Sequence, residues 1–220
     1  KGGSARYVDK LVAGHRDRIH LNSPVQSISR TSSGVRLKIK GSETLNFDHV
    51  FLACHSDQAL QMLEDPTPEE EQVLGAIEYQ PNEAVLHTDT ALMPRRKLAW
   101  AAWNYHILAE QRDRVALSYN MNILQGLKSP EQFCVTLNYS DRIDPSRVIK
   151  TIQYSHPVFT RRSIAAQARQ KEINGSRRTY YCGAYWRYGF HEDGVVSALN
   201  ALEHFNDRSQ HEQCNFRRVG

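Results

Sequence analysis

The 220-residue sequence has no apolar run long enough to cross a bilayer. Its uninterrupted apolar stretches, residues 50–53 among them, fall far short of the ~20 residues that a spanning helix needs. No charged start with an apolar stretch behind it is present, so the opening Lys1-Gly2-Gly3-Ser4 is not a secretory leader. An initiator methionine is also lacking, and we read the chain as a fragment or a processed chain whose natural start lies upstream. Cysteine is scarce: residues 54, 134, 182 and 214 form no CxxC pair and no disulfide framework, which points to a reducing cytoplasm and buried thiols. There is no run of five or more like charges. The net charge of +4 is spread over scattered pairs such as Arg95-Arg96 and Arg177-Arg178, which reads as solvated surface and not as a nucleic-acid face. Finally, no Gly-x-Gly-x-x-Gly occurs, so the usual cradle for a dinucleotide pyrophosphate is missing.

What is present begins with a short helix over residues 4–13, capped by Ser4 and carrying Tyr7, Val8, Leu11 and Val12 on one face. Residues 19–21 read as a brief strand. Residues 24–28 lead into Val35-Arg36-Leu37-Lys38-Ile39, whose strict alternation predicts a half-buried strand, with turns at Ser33-Gly34 and Gly41-Ser42. Residues 50–53 read as a strand covered on both faces. Asp57 is predicted to cap a helix bearing Ala59, Leu60, Met62 and Leu63.

Pro66-Thr67-Pro68 marks a break, after which strand-like runs follow at 84–87, 98–105, 115–121 and 133–137. Asp144-Pro145 reads as a helix start, and a further helix over 163–173 stops at Asn174-Gly175. Residues 178–183 predict a short strand ending in Gly183. A loop then enters a helix with Val195, Ala198, Leu199 and Leu202 at i, i+3, i+4, i+7 spacing, and a polar tail starts near Asn206.

That last strand–glycine–loop–helix unit carries the first chemical signal. A helix entered through His191-Glu192-Asp193-Gly194 presents unpaired N–H groups and about half a positive charge, which suits an anionic or electron-rich group. Gly194 would let a flat ring approach the backbone closely. An ordinary turn with an acidic cap explains the same residues. His55-Ser56-Asp57 holds the residue types of a hydrolytic triad, but triad members converge from separate positions, so a strand end with a cap is the better reading. His204, His211 and Cys214 fit no standard zinc spacing and read as solvated tail residues. Trp100, Trp103, Tyr105, Tyr119, Tyr154 and Phe159 read either as sheet packing or as the wall of an apolar substrate cavity.

Tyr181-Cys182-Gly183-Ala184-Tyr185-Trp186, followed by residues 190–198, resembles the C-terminal FAD motif of the flavin-containing amine oxidase superfamily. Gly183 matches the strand-end glycine, and Asp193-Gly194-Val195-Val196-Ser197-Ala198 matches the helix start. Asp193 and Ala198 replace family glycines, and Ala184 replaces the acidic residue that usually follows the strand. Residues 19–28 are similar to the family's segment before its β-meander, and residues 47–54 to its strand leading toward the substrate domain. Residues 52–59 and 185–194 also resemble NAD/FAD-binding proteins of bacterial type within this superfamily.

The resemblance implies an α/β fold of α+β character: a partial, Rossmann-like FAD-binding domain with a sheet-rich substrate domain inserted. Its parts would be residues 1–65 and 176–206 for FAD, 66–175 for substrate, and 207–220 as a polar tail. It implies FAD as cofactor, with Val25 at the adenine and Gly183, Ala184, Glu192, Asp193, Gly194 and Val195 near the flavin. Tyr185 and Trp186 are the candidates for shaping the substrate pocket. Oxidation of a C–N or C–C bond in a small or lipid-like substrate is the expected activity, no catalytic residue or metal being assigned. The alternative is a non-catalytic nucleotide-binding or interaction module that keeps the fold without flavin chemistry.

Overall fold

The structure is a computed structural model that describes residues 4–109 and 113–217. In chain order the elements are α1 (Val8–Val12), β1 (Val25–Arg30), β2 (Val35–Ile39), β3 (Leu45–Phe47), β4 (Val50–Leu52), α2 (Ser56–Met62), α3 (Pro68–Leu74) and β5 (Tyr79–His87). They continue as β6 (Trp103–Tyr105), β7 (Leu117–Asn120), α4 (Met121–Gln125), β8 (Cys134–Leu137), β9 (Val148–Pro157), α5 (Arg161–Gln167), α6 (Gln170–Ile173), β10 (Thr179–Tyr181) and α7 (His191–Arg217). The chain divides into a sheet unit, Lys1–Ile19 with Gln80–His156, and a strand–helix unit, His20–Tyr79 with Pro157–Gly220.

In the strand–helix unit, β1, β2 and β3 form the expected antiparallel meander, with Ile28 opposite Leu37. Strand β4 pairs in parallel with β10, Phe51 opposite Tyr180, although about 130 residues separate them in sequence. Ile28, Val35, Ala59, Val73, Leu74 and Ile173 form the core, each almost fully buried, and each large member contributes roughly 1.5–3 kcal/mol on burial. One ion-pair network lies inside it. Arg30 forks onto the Glu70 carboxylate at 2.6 and 2.9 Å, Tyr181 Oη donates to Glu70 at 2.6 Å, and both ions have fully buried side chains.

Several local expectations change. Residues 4–7 form a 3-10 turn before α1, and residues 19–21 form no strand. Asp57 is not the cap of α2: the helix starts at Ser56, His55 is its N-cap residue, and Gln58 Oε1 accepts the His55 N–H. Thr67-Pro68-Glu69-Glu70, read as part of a break, is a capping box that opens α3 with proline in the first turn. Asp144-Pro145 caps only a 3-10 turn that feeds the ten-residue strand β9. The β-branched run of Val148, Ile149, Thr151 and Ile152 suits a strand better than a helix.

In the sheet unit the five strands run in the order β6-β7-β8-β5-β9. Alternation sends Ser118, Asn120, Cys134, Thr136 and His87 to one face, where all are buried. The opposite face carries Trp103, Tyr105, Leu117, Tyr119, Val135 and Leu137, none of them fully buried. Here the polar face is the covered one. Hydrogen bonds make that tolerable: His87 Nε2 meets Thr136 Oγ1 at 2.8 Å, Thr136 meets Ser118 Oγ at 2.7 Å, and Ser118 meets His106 Nε2 at 2.8 Å.

Candidate cofactor site

The parallel pair β4 and β10 ends at Leu52 and Tyr181, two residues before Cys54 and Gly183, and the carboxyl ends of parallel strands are where α/β folds place ligands. After Gly183 the chain makes a 3-10 turn over Ala184–Trp186 and a tight reversal at Gly189, whose φ of +90° favours glycine. It then enters α7, a 27-residue helix. Ser197 ties these parts together: its hydroxyl accepts the Gly183 N–H at 2.8 Å and donates to the Gly194 carbonyl at 2.8 Å. The helix start is thereby fixed against the strand end. Sequence reading quoted Ser197 within the motif but gave it no role; its place three residues after Gly194 was the available signal.

Asp193 occupies a position where the resembled family has glycine. Its carboxylate bends back to accept the N–H groups of Tyr188 and Phe190 at 3.2 and 3.0 Å, and it lies 3.6 Å from Arg187 Nε. The charge is thus spent on latching the 184–190 loop. Glu192 and Val195 are exposed on α7, and the buried side of the helix consists of Ser197 and Ala201, with Ala198 and Phe205 packed against Tyr180 and Cys182. The periodic Val195, Leu199 and Leu202 face outward, against expectation, because small residues are what lie close on β10.

A β-carbon at Gly194 would come no nearer than 3.9 Å to another group, the Ala184 N, an ordinary van der Waals contact, so the backbone is uncrowded there. At Gly183 the equivalent position is filled by the Tyr185 ring. Tyr185 and Trp186 are both buried in the core of this unit, and their Oη and Nε1 atoms find no partner among the described residues. Val25 begins β1 opposite Ile39, partly buried, with a bulge immediately after it. Gly183, Ala184, Asp193 and Gly194 come together at one spot; Val25 belongs to the meander.

Burial pushes Cys54 and Cys182 up, and Cys134 in the sheet unit up to about 11, away from the thiolate form. Burial likewise raises the Tyr185 phenol far above its ordinary range. The described residues contain no cluster of three metal-ligating side chains and no helix long and apolar enough to cross a membrane. The side chains of His211 and Cys214 lie outside the described residues. The first-turn N–H groups of a long helix, beside an uncrowded glycine, fit a flat cofactor that gains negative charge.

Comparison with curated proteins gives no match. Among solved structures, the fatty acid isomerase of P. acnes that produces CLA superposes with a TM-score of 0.58 at 15% identity, over 83% of this chain and 47% of that one. Cyclohexylamine oxidase from Brevibacterium oxydans gives 0.54 at 14% identity, over 92% and 53%. Putrescine oxidase bound to putrescine gives 0.60 at 11% identity, over 92% and 52%. At such identities the likeness is one of fold, the α/β fold expected from the sequence, and the chain spans about half the length of these structures. A family profile, flavin-containing amine oxidoreductase, matches residues 1–122, more than half of the sequence. The chain therefore belongs to the flavin-containing amine oxidoreductase family, whose cofactor is FAD.

Proposed function

We propose that this chain is the C-terminal part of an FAD-dependent oxidoreductase that oxidises a C–N or C–C bond of a small or lipid-like substrate. The observation that carries this is the start of α7 against the strand end at Gly183, with an uncrowded Gly194 near that start. FAD, when bound, supplies the hydride acceptor, so the protein's task is binding, orientation and electrostatics. The N–H groups at the head of α7 would face the electron-rich edge of the flavin, favouring its reduced form. Ser197 and Asp193 hold that helix head and its entry loop in place. Val25 is proposed at the adenine, and Tyr185 and Trp186 as the residues that shape the substrate pocket beside the flavin.

Residues 66–175 are proposed as the substrate domain. Its open face of Trp103, Tyr105, Leu117 and Tyr119 supports an apolar substrate, since small-molecule sites are walled mostly by apolar and aromatic groups. The second reading, a module without flavin chemistry, is favoured by two facts: a carboxylate at Asp193, and a Tyr185 ring filling the space at Gly183.

An absorption spectrum decides between them. The 220 residues, lacking a Gly-x-Gly-x-x-Gly segment, are expected to lose added FAD on dialysis, and a version extended upstream is expected to purify yellow. A colourless extended protein after expression with ample riboflavin would favour the non-catalytic module.

A further inference from the structure

On the strand–helix unit, Phe159, Ile164, Ala168, Trp186, Arg187 and Tyr188 line a groove of about 590 Å³, within the usual range of small-molecule sites. Phe159, Ile164 and Tyr188 are 46%, 56% and 72% exposed. Three large apolar side chains open along one groove differ from singly scattered surface hydrophobes, which need no explanation.

The groove is fixed by hydrogen bonds on both walls. Thr160 and Ser163 form a capping box at the start of α5, and Ser163 and Ala166 are buried, which turns Ile164 outward. Gln167 Nε2 donates to the carbonyls of Tyr185 and Arg187 at 2.8 and 2.7 Å, fastening the helix wall to the loop wall. Trp186 adds a buried indole whose N–H has no acceptor among the described residues.

Arg187 is the one charged residue in this lining. Its side chain is 53% exposed and forms an ion pair with the Asp193 carboxylate, Nε lying 3.6 Å away. A planar guanidinium of this kind takes a carboxylate in a two-pronged hydrogen bond. Sugars and nucleotides need several polar wall groups, and the Nε2 of Gln167 is already committed to two carbonyls. An apolar trough with a single cation complements a molecule with an apolar chain and a single anionic head.

We propose that this groove binds a free long-chain carboxylate, its acyl chain along Phe159, Ile164 and Tyr188 and its head on Arg187. The site lies wholly within one unit, and the proposal does not rest on the flavin reading.

Calorimetric titration of the full chain with dodecanoate, kept below its micelle-forming concentration, tests this, with dodecylamine, dodecanol and phosphatidylglycerol vesicles as comparison probes. One saturable dodecanoate site is expected, with dodecylamine at least about tenfold weaker. Arg187→Gln is expected to weaken dodecanoate about tenfold while leaving dodecanol unchanged. Ile164→Asp and Tyr188→Ser, both at exposed positions, are expected to abolish dodecanoate binding with an unchanged circular dichroism spectrum. Absence of saturable binding, wild-type affinity in Ile164→Asp and Tyr188→Ser, indifference to Arg187→Gln, or binding to the vesicles alone would each overturn the proposal.

Discussion

The ring of Tyr185 lies where a side chain on Gly183 would have to go: a β-carbon there would sit 2.5 Å from Tyr185 Cε1. Tyr185 is itself buried in the core, so it has little freedom to retreat. Gly183→Ala is therefore expected to destabilise the protein by about 1–3 kcal/mol, the usual cost of overpacking. Gly194→Ala, inside α7 with its nearest neighbour 3.9 Å away, should instead stabilise the fold by about 0.4–1 kcal/mol. Urea unfolding of the two variants checks this, and equal losses would show that the Tyr185 ring is not a rigid neighbour.

The Arg30–Glu70–Tyr181 network makes a second prediction. Arg30→Met leaves the Glu70 carboxylate buried without its cation, which should cost about 3–5 kcal/mol. Tyr181→Phe removes one hydrogen bond to a charged acceptor and should cost about 1.5–3 kcal/mol. Burial alone would raise the Glu70 carboxyl, but its bonds from Arg30, Tyr181 and the Thr67 backbone outweigh that and hold it below its ordinary value. A depressed folded value means stability fully present above the unfolded value of about 4.3 and lost as pH falls through the folded one. Unfolding midpoints measured across pH 5 to about pH 2 should fall steeply in the wild type and less so in Glu70→Gln.

The covered polar face of the sheet unit makes the third. Burial pushes the His87 imidazole down, against the opposing charge of Asp89. Charging the ring would place a proton on Nδ1, which has no partner among the described residues. The neutral form therefore stabilises the fold fully above the unfolded value of about 6.5, and that stability is lost as pH falls from there through the folded value. His87→Gln keeps a donor for Thr136 and should flatten the decline in melting temperature between about pH 6.5 and 5. An unchanged slope would assign the decline to other groups.

The sequence by itself determined the local elements that have one periodic or capped solution. The β1–β2 meander, β4, β10, the helix stop at Asn174-Gly175 and the strand–glycine–loop–helix order around Gly183 were all legible. Thr67-Pro68-Glu69-Glu70 has the spacing of a capping box, though Pro66-Thr67-Pro68 read as a break. Only the tertiary structure decided which face each element turns inward. Apolar periodicity reports that a helix has a face, not which neighbour it meets, so the outward Val195, Leu199 and Leu202 on α7 could not be foreseen. The buried Ser118–Thr136–His87 face was hidden for the same reason, because polar strand residues become core only when cross-strand partners satisfy them. The partnerships of Glu70 with Arg30 and Tyr181 depend on elements far apart in the chain coming together, whereas those of Gly183 with Tyr185 and Ser197 depend on how the 184–190 loop folds back, and local sequence records neither.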